Sequence, residues 1–247
     1  MKALLTLTFA GLFAACSISV SSDGNSWQDR KVKGNGVSAK EKRTISNEVD
    51  RIIITSSIDV EYTQGSPASM EVQGDENLIE KVVTEVSGNT LKVYRENGNY
   101  WMQSTKGLKV IVTTPHLSEV AVSSSGDFEA TNPLTDDAIQ LKTSSSGDIQ
   151  ASVETDDLKL YCSSSGDIHI KGSADRLLAR TSSSGDIKGK NLKTRLAELA
   201  TSSSGDVYVY ASDAVKARTS SSGDIHVYGS PDKRDTSESS SGDIYID

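Results

Sequence analysis

Ser182-Ser183-Ser184-Gly185-Asp186-Ile187 is one of seven near-identical copies of Ser-Ser-Ser-Gly-Asp followed by an apolar residue, and their spacing decides the fold. The copies end in Asp127, Asp148, Asp167, Asp186, Asp206, Asp224 and Asp243, so successive aspartates stand 21, 19, 19, 20, 18 and 19 residues apart. A fixed period of this length marks a repeat architecture, in which each unit buries its apolar face only by stacking on its neighbours. A βαβ crossover needs roughly thirty residues, so the unit is too short for one. It suits one coil of a parallel β-helix, with neighbouring coils about 4.8 Å apart.

Working outward from the motif, apolar and polar residues alternate with period two on both sides, which predicts strands. One residue after each Asp stand Phe128, Ile149, Ile168, Ile187, Val207, Ile225 and Ile244, and seven before it Val120, Leu141, Leu160, Ala179, Leu199, Ala217 and Thr236. These columns are expected to face inward. Counting by twos also puts the middle Ser and the Gly inside, leaving the outer two Ser and the Asp in solvent. An antiparallel sandwich is the competing reading, but nothing in it requires the same five residues in seven turns.

The chain has 247 residues and a net charge of −8, enough for one substantial core and with no second composition to mark another domain. The acidic balance and the lack of a Lys/Arg stripe argue against nucleic acid as a partner. Lys2 followed by the apolar run Ala3 to Phe13 reads as a secretory signal, too short to span a bilayer. Phe13-Ala14-Ala15-Cys16 resembles the lipobox of bacterial lipoproteins, which implies that residues 1–15 are removed and that Cys16 carries lipid. The expected location is the bacterial envelope, as an outer-membrane lipoprotein facing either the periplasm or the cell surface.

Residues 16–42 are polar and aperiodic and read as a flexible tether, with Trp27 and Val32 as local docking points. Residues 43–115 read as irregular N-terminal coils with a cap, and 116–247 as the seven regular coils. Strands are expected over 51–55, 58–62, 68–73, 83–86, 90–95 and 108–113, a helical turn over 77–82, and a loop over 100–106. Ser56-Ser57-Ile58-Asp59-Val60 looks like a worn copy of the repeat.

Val60-Glu61-Tyr62-Thr63-Gln64-Gly65, the strand-Pro-His-Leu segment Leu108 to Leu117, and the serial Ser-Ser-Gly-Asp-Ile motifs together resemble the family called putative auto-transporter adhesin, head GIN domain, over about Val49 to Asp247. The resemblance implies a single-stranded right-handed β-helix, often a lipoprotein, and transfers no catalytic residues. The usual Gly-Ser-Gly-Asp of that family is here Ser-Ser-Gly-Asp.

Three columns could carry chemistry. The seven aspartates repel one another by on the order of 1 kcal/mol per neighbouring pair in water-like surroundings, so something must offset them. Either each caps its own turn after a Gly of positive φ, or adjacent pairs bind Ca²⁺, the one cofactor the chain suggests. Tyr208, Tyr210, His226, Tyr228 and Tyr245 gather on one outward face of the last coils, as either a recognition surface or a stabilising aromatic ladder. Cys162 replaces Thr in the column five before Asp and reads as a small buried substitute. His169 and His226 share a column but lie three coils apart, roughly 14 Å, too far for one metal ion.

The function expected is a non-enzymatic adhesin or ligand-binding solenoid, with a glycan or a surface protein as partner. A carbohydrate-active enzyme and a structural spacer are the alternatives. An enzyme would show a convergent cluster breaking the ladders, and the ladders run unbroken. The C-terminal end is either capped by its own charged last coil, leaving a monomer, or paired end to end in a dimer.

Overall fold

The computed structural model describes residues 31–98 and 100–247; Cys16, Trp27 and the signal segment lie outside them. The architecture is the expected β-solenoid. In chain order β1 (Lys31–Lys33) and β2 (Ser38–Arg43) precede a first coil made of β3 (Arg51–Ile54) and β4 (Asp59–Gln64). Then come β5 (Ser69–Asp75), a single helical turn α1 (Glu76–Ile79), β6 (Val82–Ser87), β7 (Thr90–Arg95), β8 (Trp101–Gln103) and β9 (Lys109–Thr114). The regular coils follow as β10 (Glu119–Val122), β11 (Phe128–Ala130), β12 (Leu134–Thr143), β13 (Ile149–Cys162), β14 (Ile168–Thr181), β15 (Ile187–Thr201) and β16 (Val207–Thr219). The stack closes with β17 (Ile225–Tyr228), β18 (Lys233–Glu238) and β19 (Ile244–Ile246).

Coils pair in parallel and in register, so like stacks on like. Val60, Phe128, Ile149, Ile168, Ile187, Val207 and Ile225 form one continuous column, each at most 1% exposed. Along β14 the buried residues are even-numbered at Ile168, Ile170 and Ala174 but odd-numbered at Leu177, Ala179 and Thr181. The strand therefore turns a corner between residues 174 and 177, where the period-two pattern loses phase.

The serine motif is the other corner, and there the structure revises two expectations. No motif glycine has a positive φ; each is required because a Cβ would lie 2.2–2.3 Å from a backbone oxygen of the coil beneath. The middle Ser is not an inner ladder either. It sits half-buried, with the Ser164 and Ser203 hydroxyls each donating to a backbone carbonyl of the preceding coil at 3.1 Å. Alternation stops where the strand stops, so counting by twos through the turn misplaces it. The buried hydroxyls belong instead to Thr143, Thr181, Thr201 and Thr219, each donating to a motif Gly carbonyl.

The N-terminal coils depart from chain order. β3 lies between β7 on one side and β10 on the other, and β4 between β9 and β11. Asp59 joins the aspartate column, accepting the Asp127 N–H at 3.1 Å, so the worn motif is a true coil corner. Antiparallel strands close this end: β5 pairs with β9, β2 with β5, and β6 with β7. Residues 31–42 are thus not all tether, because β1 pairs with β8 and β2 forms an outer strand. Lys40, Glu41, Lys42 and Arg43 occupy β2, and charge on an edge discourages further pairing.

Asp75 holds this end together. Its fully buried carboxylate accepts N–H groups of Gly36 and Thr105 at 2.8 Å and hydroxyls of Ser104 and Thr105 at 2.5 and 2.6 Å, joining the β1–β2 and β8–β9 loops. Burial alone would raise its pKa, but the donors outweigh it and hold it well below the carboxylate range. A depressed folded pKa contributes stability above the unfolded value of about 3.9, and that contribution is lost as pH falls toward the folded value. Asp75→Ala is accordingly expected to lower the melting temperature by several degrees at pH 7, with the gap to wild type narrowing below about pH 4. A gap independent of pH would show that the ionised carboxylate contributes nothing.

At the opposite end, each apolar residue after Asp donates its N–H to the Asp carbonyl of the next coil, as Ile225 does to Asp243 at 3.0 Å. In the last coil described, Glu238 Oε1 accepts the Ile244 N–H instead, at 3.0 Å. Glu238 occupies the position that holds Thr or Cys in five of the coils below. Analytical ultracentrifugation is expected to find wild type monomeric and Glu238→Ala self-associating with concentration; a variant as monomeric as wild type would deny Glu238 this capping role.

Candidate functional site

The aspartates neither cap their own turns nor stand free. Asp148, Asp167, Asp186, Asp206, Asp224 and Asp243 each donate a backbone N–H to Oδ1 of the Asp one coil below, at 2.8–2.9 Å. This coil-to-coil ladder offsets the repulsion between carboxylates, since charge-assisted bonds are the stronger kind. In Asp167, Asp186, Asp206 and Asp243 the second oxygen is also met, by side chains of the column two after Asp. Lys188 bonds Oδ2 of Asp167 and lies 3.4 Å from that of Asp186, while the hydroxyls of Tyr208 and Tyr245 donate to Asp206 and Asp243 at 2.9 and 3.1 Å. Ca²⁺ would therefore compete with bonds that already hold the coils together.

The aromatic residues do gather as the sequence indicates. Tyr208, His226 and Tyr245 stack with centroids 4.8 and 4.7 Å apart and planes 7° and 13° from parallel. Burial and the bond to Asp206 push the Tyr208 hydroxyl up to about 12. Beside this stack, Lys193 lies 3.9 Å above the Tyr210 ring and Lys190 4.5 Å above that of Tyr228, both within cation–π range. Most of the rings are engaged with one another or with lysines, as a stabilising ladder requires. Tyr245 differs, because it ends the stack and is 46% exposed.

Cys162 is the buried Thr substitute expected. Its Sγ lies 2.8 Å from the Gly166 carbonyl, the bond its Thr counterparts make, and burial pushes the thiol up to about 12. It has no thiolate character with which to react.

A feature that the sequence did not signal is an apolar groove of about 550 Å³ beside the corner of β13 to β18. Its floor runs along the column Leu158, Leu177, Ala197 and Val215, paired in register, whose side chains belong to the core and are at most 6% exposed. Leu178, Leu196 and Ala214, half-buried, widen it in columns where other coils place charge. Leu196 stands in register with Arg176, and Leu178 with Lys159. An excursion of one or two residues in each of two outward columns carries almost no signal until the neighbouring coils are stacked against it.

The described residues contain no helix long and apolar enough to cross a membrane and no cluster of metal-binding side chains. Similar solved structures include a putative adhesin from Bacteroides fragilis, 21% identical, with a TM-score of 0.81 over 87% of this chain and 100% of that one. A putative lipid binding protein from Parabacteroides distasonis is 29% identical, with a TM-score of 0.71 over 88% and 99% of the two chains. A putative adhesin from Parabacteroides merdae is 23% identical, with a TM-score of 0.69 over 88% and 99%. No curated protein matches the chain. The family model described as putative auto-transporter adhesin, head GIN domain, matches residues 48–231, and the chain belongs to that family.

Proposed function

We propose that this protein is a non-enzymatic adhesin of the bacterial envelope, tethered to the outer membrane through lipid on Cys16 and binding glycan with the aromatic face of its last coils. The open ring of Tyr245 carries the reading: it closes the Tyr208–His226–Tyr245 stack at the end of the solenoid opposite β1, where the chain enters. An anchor on Cys16 leaves that end distal. Exposed tyrosines are apt for sugar rings, since they combine an apolar face with a polar tip at little conformational cost. The motif carboxylates and middle serine hydroxyls are committed to coil-to-coil bonds and the thiol to a carbonyl of its own turn, which supports a binding role.

Two measurements test the parts separately. Cys16→Ala is expected to move the protein from the membrane fraction to the soluble one and to abolish fatty-acid labelling; unchanged labelling sinks the anchor. On a glycan array the chain is expected to bind saturably, with Tyr245→Ala losing about tenfold, as the removal of 1–1.5 kcal/mol of aromatic stacking implies. Saturable binding to no glycan would end the adhesive reading.

A further inference from the structure

The groove of β13 to β18 is separate from the aromatic end, and its chemistry is different. Its floor column crosses five strands from Leu158 to Arg234, a length of about 19 Å at the usual spacing. All the anions along its rim are already paired. Arg176 holds Asp157 through two bonds of 2.6 Å, Arg180 lies 3.5 Å from Glu198, and Arg218 lies 3.3 Å from Asp235. By contrast Lys159, Lys216, Lys233 and Arg234 line the same groove with no ion pair among the described residues. In a protein of net charge −8, this is an apolar trough with a purely cationic surplus.

The surplus is also placed asymmetrically. Three of the four cations, Lys216, Lys233 and Arg234, stand together at the C-terminal end, where Arg234 follows Val215 in the floor column itself. The trough therefore has an apolar middle, where Leu178, Leu196 and Ala214 face outward, and one cationic end. An extended peptide is a poor occupant, because main-chain recognition needs free N–H and C=O groups, whereas the strands of the floor spend theirs on neighbouring coils. Nucleic acid is no better suited, since the floor offers no aromatic ring for stacking.

We propose that this groove binds a long-chain fatty acid, the acyl chain lying against Leu178, Leu196 and Ala214 and the carboxylate meeting Lys216, Lys233 and Arg234. A volume of about 550 Å³ falls within the usual range for small-molecule sites. Binding here uses none of the aromatic residues assigned to adhesion, so either reading can fail alone.

The test is a fluorescence titration of the full chain with cis-parinaric acid. Saturable binding is expected, displaced by palmitic acid and at least tenfold more weakly by hexadecanol, which lacks the charge. Leu196→Glu, in a half-buried wall, is expected to weaken binding at least tenfold, and Tyr245→Ala to leave it unchanged. Should Leu196→Glu not fold, judged by circular dichroism, Ala214→Glu probes the same wall. Arg234→Glu is expected to weaken palmitic acid and spare hexadecanol. Absence of saturable binding, or binding indifferent to the wall variants, overturns the site. Equal displacement by acid and alcohol overturns the head-group assignment. Flotation with phosphatidylglycerol vesicles that is lost in Leu196→Glu, without parinaric acid binding, would give the groove to a bilayer surface instead.

Discussion

Gly185→Ala is expected to lower the melting temperature by roughly 6–12 °C, although it adds a single methyl group and asks nothing unusual of the backbone. Its Cβ would sit 2.2 Å from the Gly166 carbonyl oxygen and 2.7 Å from Cys162 Sγ. Neither atom can swing away, since one is backbone and the other is a buried side chain held against Gly166. The coil must rise off its neighbour. Overpacking typically costs about 1–3 kcal/mol, and a backbone obstacle belongs at the top of that range or above it. At about 2–4 °C per kcal/mol for a chain of this size, the shift is readily measured by calorimetry. Gly65→Ala is the control: a Cβ there meets nothing closer than the Thr113 methyl at 3.6 Å, and Gly65 is not a positive-φ glycine. Equal shifts for the two variants would remove close coil approach as the reason for the motif glycine.

Ile187→Asp has the other large effect. Ile187 is fully buried between Ile168 and Val207 in the central column, so the introduced carboxyl would have apolar neighbours above and below and no donor. A buried unpaired charge is among the few single changes that cost about 4 kcal/mol or more, a fall of roughly 10 °C or more. Lys188, one residue on, faces outward but is a poor comparison, because its ammonium bridges Asp167 and Asp186. Its pKa is raised chiefly by the bond to Asp167. Lys171 is exposed and forms no ion pair among the described residues, so Lys171→Asp is expected to stay within about 0.5 kcal/mol of wild type. Comparable losses from Ile187→Asp and Lys171→Asp would refute the inward and outward assignment of the strands.

The period of the serine motif, the inward columns as far as the last coil, where Thr236 is exposed, and the identity of Cys162 as a Thr replacement were legible in the amino-acid sequence. Each is a local pattern repeated from coil to coil, and repetition turns a weak signal into a strong one. The gathering of Tyr208, Tyr210, His226, Tyr228 and Tyr245 was legible for the same reason, since a fixed period makes columns. Three things were not. The aspartates bond to the next coil and not to their own turn, β3 sits between strands that come after it in the chain, and a groove opens where Leu178 and Leu196 interrupt charged columns. None of these is a property of one coil. Alternation along a strand fixes which face a residue takes, because successive side chains point to opposite sides of a sheet. What an outward residue touches depends on the coil laid against it about 4.8 Å away, and that neighbour arrives only when the chain has wound once around.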